Sequence, residues 1–164
     1  MREFFEQLYI KRILRYALYM FLCLVAQNML FTQIRPFGVC PLLLPTAVVA
    51  VGMFEGATWG WIFGLIIGIF ADMAFVENTI MFTLMFPLLG FFAGFVSQFF
   101  INRRFFAYMG LALAASLFTA LIQMLATFAG DAWSGELVKT AVLQTLLSMP
   151  TAVLAYFPPA KWID

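Results

Sequence analysis

"GMFEGATWGWIFGLIIGIFAD" occupies residues 52 to 72 and carries a glycine at every fourth position: Gly52, Gly56, Gly60, Gly64 and Gly68. The next step of four lands on Asp72. In water, a glycine inside a helix costs about 1 kcal/mol relative to alanine. A carboxylate at the centre of a bilayer costs about 3 kcal/mol or more. An apolar run that carries both needs a physical reason. Four residues turn a helix through about 400°, so the row drifts about 40° per step and traces a shallow, winding groove. In an apolar solvent water does not drive helices together, and close backbone approach must do so instead. The stretch therefore predicts a packing helix with a small-residue face of Gly56, Gly60, Gly64 and Gly68, preceded by a tight turn at Glu55. Gly90 with Gly94, and Gly110 with Ala114, are the counterparts expected in later helices. The spacing leaves open whether this groove closes inside the molecule or docks a helix of another protein.

The rest of the chain supplies the apolar solvent. Its 164 residues are 65% hydrophobic and 10% charged, with a mean hydropathy of +1.00. A soluble domain is nearer one quarter charged, so this chain lacks the polar surface to cover itself in water. The expected fold class is all-α: a single-domain, polytopic membrane protein. Apolar runs predict six transmembrane helices, at about 13–31, 39–54, 57–75, 80–101, 105–129 and 137–157. Crossing the hydrocarbon takes about 20 residues, and the second run is short. It also carries Pro41 and Pro45; Pro41 suits a first helical turn, whereas Pro45 is expected to remove a backbone hydrogen bond. Pro87 and Pro150 fall well inside the fourth and sixth runs and predict kinks.

Charge placement decides whether the second run crosses. Arg2, Lys11, Arg12 and Arg15 precede the first run, and Arg103 and Arg104 separate the fourth from the fifth. The positive-inside rule wants both clusters in the cytoplasm. Six crossings satisfy it, with both termini cytoplasmic and Lys161 joining the inner side. The first run is too long for a signal peptide and lacks a small-residue cleavage site, so it is expected to stay attached. Ahead of it, "REFFEQLYIKR" (2–12) reads either as a short helix on the cytoplasmic face or as the start of the first span. The net charge of +1 gives no reason to expect a nucleic-acid partner.

The chemistry of catalysis is missing. The chain has no histidine, which removes the commonest general base and metal ligand together. Cys23 and Cys40 form no C-x-x-C and read as free thiols. Glu55, Asp72 and Glu77 make no spaced acidic pair on one helix face, and no nucleophile elbow, zinc-protease motif or phosphate loop occurs. No catalytic, cofactor-binding or metal-binding residue is expected. Asp72 is the candidate functional acid, set either at the outer membrane interface or buried in the bundle. Gln27, Asn28, Ser97, Gln98, Ser116, Thr119, Gln123, Gln144 and Ser148 are expected to form hydrogen bonds between helices.

"GVCPLLLPTAVVAVGMFEGATWGWIFGLIIGIFAD" (38–72) resembles the MreD family, the rod shape-determining membrane proteins of bacteria. Gly38 and Pro41 stand as in that family's G-x-x-P, opening the second helix. Gly64, Leu65, Gly68 and Asp72 look like its glycine-rich third helix, which ends in an aspartate. "YFPPAKW" (156–162) resembles its closing segment. The resemblance implies a fold like that of the S-component of energy-coupling-factor transporters, and a place in the plasma membrane. It also implies a non-enzymatic scaffold for side-wall peptidoglycan synthesis. Its implied partners are an MreC-like single-pass protein, an MreB-like actin, a RodA-like glycosyltransferase and a class B penicillin-binding protein. A homodimer is a further expected arrangement. Lys11, Arg12, Arg15, Arg103 and Arg104 would form a basic cytoplasmic face toward anionic lipid or filament proteins. The alternative is a true S-component that takes up a vitamin or metal-related solute; its outer loops would be richer in polar and aromatic groups than the short ones here.

Overall fold

The computed structural model of the protein describes residues 2–31, 40–74, 80–99, 105–127 and 135–156. These residues are all-α. Six helices follow in order: α1 (Arg2–Val25), α2 (Leu44–Glu55), α3 (Ala57–Ala74), α4 (Met81–Phe99), α5 (Phe105–Thr127) and α6 (Gly135–Ala155). A π-helical turn, Ala26–Phe31, continues α1. Met81–Gln98 and Phe105–Gln123 are long and apolar enough to cross a membrane; Ile13–Met29, Leu44–Glu55 and Ala57–Met73 are apolar but shorter. Gly38, Arg103 and Arg104 lie outside the described residues, as does most of the 130–137 loop. Lys11 and Arg12 occupy one turn of α1 with Arg15, but only their backbone is described.

The shortest helix is the centre of the fold. Every residue of α2 from Leu44 to Met53 is buried, and α2 contacts each of the other five helices. Its small and β-branched residues suit that place: Ala47, Val48, Val49, Ala50 and Val51 are at most 1% exposed. Two apolar cores share this axis. One joins Tyr16, Tyr19 and Cys23 of α1 to Phe63, Ile67, Phe82 and Phe86; the other joins Val49 and Met53 to Ala93, Tyr108, Ala112 and Ala152. The outer surface is apolar as well, with Leu14, Phe21, Met73, Leu84, Phe92 and Leu146 all exposed.

The prolines at α2 correct the sequence reading. Pro41 does not open the helix, because residues 40–43 are non-helical and α2 begins at Leu44. Pro45 falls in the first turn, where a backbone N–H has no intrahelical acceptor, so it removes no hydrogen bond. At the other end α2 closes on Gly56, whose φ of 99° is the left-handed conformation that favours glycine. The Gly56 N–H still reaches the Gly52 carbonyl at 3.0 Å, and α3 starts at the next residue. Helices α4 and α6 run unbroken through Pro87 and Pro150. Residues 2–12 are the direct start of α1, not a separate helix.

Candidate functional site

The glycine ladder is a seam between α3 and α4. A Cβ built on Gly60 would stand 2.5 Å from the Gly90 carbonyl oxygen and 2.6 Å from the Gly52 Cα. One on Gly64 would stand 2.6 Å from the Phe86 carbonyl carbon, and one on Gly68 2.6 Å from the Phe82 oxygen. One on Gly94 would stand 2.7 Å from the Gly56 carbonyl carbon. No real side-chain carbon tolerates such approaches to backbone. Each step of four up α3 therefore meets a step of four down α4, and Gly52 brings α2 into the same junction. Leu65, beside the seam, is half-buried. The groove is filled by the chain's own helix, so it is not an open docking face. Gly110 takes no part: a Cβ there would meet nothing within 4 Å, and Ala114 is exposed.

Asp72, one step beyond the last glycine, ties the far end of this seam. One carboxylate oxygen accepts from the Phe82 N–H at 3.1 Å. The other accepts from the Thr83 N–H at 2.8 Å and the Thr83 hydroxyl at 2.6 Å. These N–H groups belong to the first turn of α4, which has no intrahelical acceptor for them. An anion there also meets the positive end of the α4 dipole. Asp72 is partly exposed, and its charge serves the helix that follows rather than the helix that carries it.

The densest polar assembly surrounds the unwound segment before α2. Residues 41–43 are buried, and irregular buried backbone needs partners for its polar groups. Gln27, on the π turn and 1% exposed, accepts from the Leu43 N–H at 2.7 Å and donates to the Pro41 carbonyl at 3.1 Å. From α6, Ser148 accepts from the Leu42 N–H at 2.8 Å, Thr151 donates to the Leu42 carbonyl at 3.1 Å, and Gln144 donates to the Cys40 carbonyl at 3.1 Å. Further along α2, the buried Tyr108 hydroxyl lies within reach of the carbonyls of Ala152 (2.8 Å) and Thr46 (3.3 Å).

These contacts sort the polar residues named from sequence. Gln27, Gln144 and Ser148 do bond between elements, and Ser97 donates to the Met53 carbonyl at 3.1 Å. Ser116 and Thr119 instead donate to carbonyls four residues back in α5, and Asn28 does the same in α1. Thr151 and Tyr108 were not anticipated: a threonine in an apolar run and a tyrosine near a helix start give no local sign of a distant acceptor. At the opposite end of the bundle the Tyr16 hydroxyl donates to the Glu55 carboxylate.

Chemically, the assembly consists of amides and hydroxyls that bind the chain's own backbone. Among the described residues no three Cys, Asp or Glu side chains gather as a metal-ion site. No buried side-chain polar atom among them lacks a hydrogen-bond partner. Apolar clefts among the described residues include one of about 360 Å³ between α4 and α5, floored by Val49, Ala93 and Ala115, and one of about 230 Å³ between α1 and α3. Compared with known protein families, with characterised proteins and with solved structures, the chain matches none of them.

Proposed function

We propose that this chain is a six-span protein of the bacterial plasma membrane, a non-enzymatic scaffold of the MreD type that helps determine rod shape. One observation carries the reading: the molecule is apolar on its outside and threaded with hydrogen bonds inside. The large hydrophobic side chains exposed on α1, α3, α4 and α5 are leucine, isoleucine, phenylalanine, methionine and tryptophan, whereas Gln27, Thr46, Ser148 and Thr151 are sealed in the core. A bilayer is the solvent that suits that arrangement. In this reading the six spans follow helices α1 to α6, and both termini are cytoplasmic.

Within such a scaffold the α3–α4 seam is already occupied, so partner helices meet the outward faces. The MreC-like, RodA-like and penicillin-binding partners would engage there and at the outer loops. The basic residues on the inner side would face anionic lipid and an MreB-like filament. The polar groups in the outer half hold residues 40–43 rather than line a pocket, which favours a scaffold over a solute-binding S-component.

Two experiments test the reading. Arg103→Cys and Ser134→Cys, each in a background lacking Cys23 and Cys40, are expected to label from opposite sides of the membrane; same-side labelling would remove the crossing at 39–54. Depletion from a rod-shaped host is expected to give wide or rounded cells, and the protein is expected to co-purify with a single-pass partner bearing a periplasmic coiled coil. A solute-binding protein is instead stabilised by about 4 kcal/mol at about 1,000 times its dissociation constant. A thermal shift with one of a panel of vitamins or transition metals, with cell shape unchanged on depletion, would replace the scaffold by the transporter.

A further inference from the structure

The helices are not held to the bundle in one way. The contact of α3 with α4 is backbone against backbone along the whole glycine seam, and α2 is enclosed on every side. By contrast, among the described side chains of α1 and its π turn, those that are buried, Tyr16, Tyr19, Cys23 and Gln27, lie three or four residues apart on one face, with Met20, Leu24 and Ala26 packed beside them. Leu14, Leu18, Phe21, Leu22 and Met29 point away from it and are more than half exposed. Between α1 and α3 the packing is incomplete, leaving the 230 Å³ cleft bordered by Tyr16, Met20, Val51, Trp59 and Phe63. Stacked rings bridge it, Tyr19 on Phe63 at 5.9 Å and Tyr16 on Trp59 at 6.3 Å.

Polar bonds fasten α1 at three heights. Tyr16 holds Glu55, Tyr19 donates to the Ala155 carbonyl at 3.1 Å, and Gln27 holds Pro41 and Leu43. Above the middle latch the helix widens into the π turn Ala26–Phe31, a geometry that recurs at functional sites and at helix kinks. In hydrocarbon, packing, interhelical hydrogen bonds and lipid entropy keep helices together. Where the packing is thinner, the hydrogen bonds carry more of the attachment.

We infer that α1 is a releasable strap: three side-chain latches close it over the α1–α3 cleft, and it swings away without unpacking α2, α3 and α4. Opening bares the cleft of Val51, Trp59, Ile62 and Phe63 to the membrane. The inference rests on the membrane reading above but not on the cell-shape role. A chain that fails to enter lipid nanodiscs counts against that reading, whereas the distances below test the strap.

The test is pulsed electron spin resonance on the full chain in nanodiscs, in a Cys23→Ala, Cys40→Ala background. Spin labels at Leu18→Cys and Phe118→Cys report α1 against α5; labels at Phe70→Cys and Phe118→Cys report α3 against α5. All three positions are exposed. The α1 pair is expected to show a second distance population, and Tyr19→Phe, which deletes the hydrogen bond to the Ala155 carbonyl, should raise its ratio to the first about fivefold. Gln27→Leu should raise it further, while the α3 pair stays as it was. Tyr19→Phe keeps the ring and hence the packing, so it decides the matter if Gln27→Leu does not fold. An α1 pair that is unchanged in the latch variants would overturn the strap. So would equal broadening of both pairs, since the bundle would then loosen as a whole.

Discussion

Gly60→Leu is expected to leave no folded monomer, whereas Gly110→Leu is expected to fold like the unaltered chain. Overpacking a core costs about 1–3 kcal/mol where side chains can move aside. At Gly60 the neighbours are the Gly90 carbonyl and the Gly52 Cα, both backbone, so three helices would have to separate. The expected loss therefore exceeds about 3 kcal/mol, a large part of the 5–15 kcal/mol that holds a typical domain together. Gly110 has open space around its Cβ position, and leucine is the better helix former by up to about 1 kcal/mol. Monodispersity in mild detergent and unfolding midpoints of the two variants check this. Equal behaviour would mean that the α3–α4 seam does not hold the bundle.

Asp72→Ala is the second large effect. It removes the acceptor for two N–H groups of the first α4 turn and for the Thr83 hydroxyl. Loss of an N-terminal cap costs about 0.5–2 kcal/mol, and the bonds here go to a charged acceptor, so the expected loss is about 2–3 kcal/mol. Asp72→Asn keeps one acceptor oxygen and should fall between the two. Thr83→Val in the Asp72→Ala background should cost less than it does alone, because the hydroxyl has already lost its partner. Full additivity in that cycle would dissolve the cap. Under the scaffold proposal, an Asp72→Asn variant that folds well but does not reverse the depletion phenotype would give the acid work beyond anchoring α4.

Much of the layout is legible in local pattern. Five of the six helices lie within about two residues of the apolar runs at one or both ends, because apolar length and glycine spacing depend on neighbours in sequence. Asp72 could be singled out from the four-residue rhythm, but not explained by it. Its donors stand ten and eleven residues further on, and nothing in "IFADMAFVENTI" says that the chain returns. Gln27 is a similar case: its acceptor and donor are backbone atoms at positions 41 and 43.

The start of α2 shows where local reasoning stops. Pro41 and Pro45 are equally good as first-turn residues, and each would leave a different set of backbone groups to be satisfied. Gln27 from the π turn, with Gln144, Ser148 and Thr151 from α6, meets the N–H and carbonyl groups of residues 40–43 and so lets them stay unwound. The sequence by itself determined an apolar, all-α chain with a small-residue face on its third helix and no histidine-based chemistry, since composition and spacing are properties of the chain alone. Which helix fills that face, where α2 begins and what Asp72 binds follow instead from how the helices pack. Each depends on backbone atoms that only folding brings within hydrogen-bond or van der Waals reach.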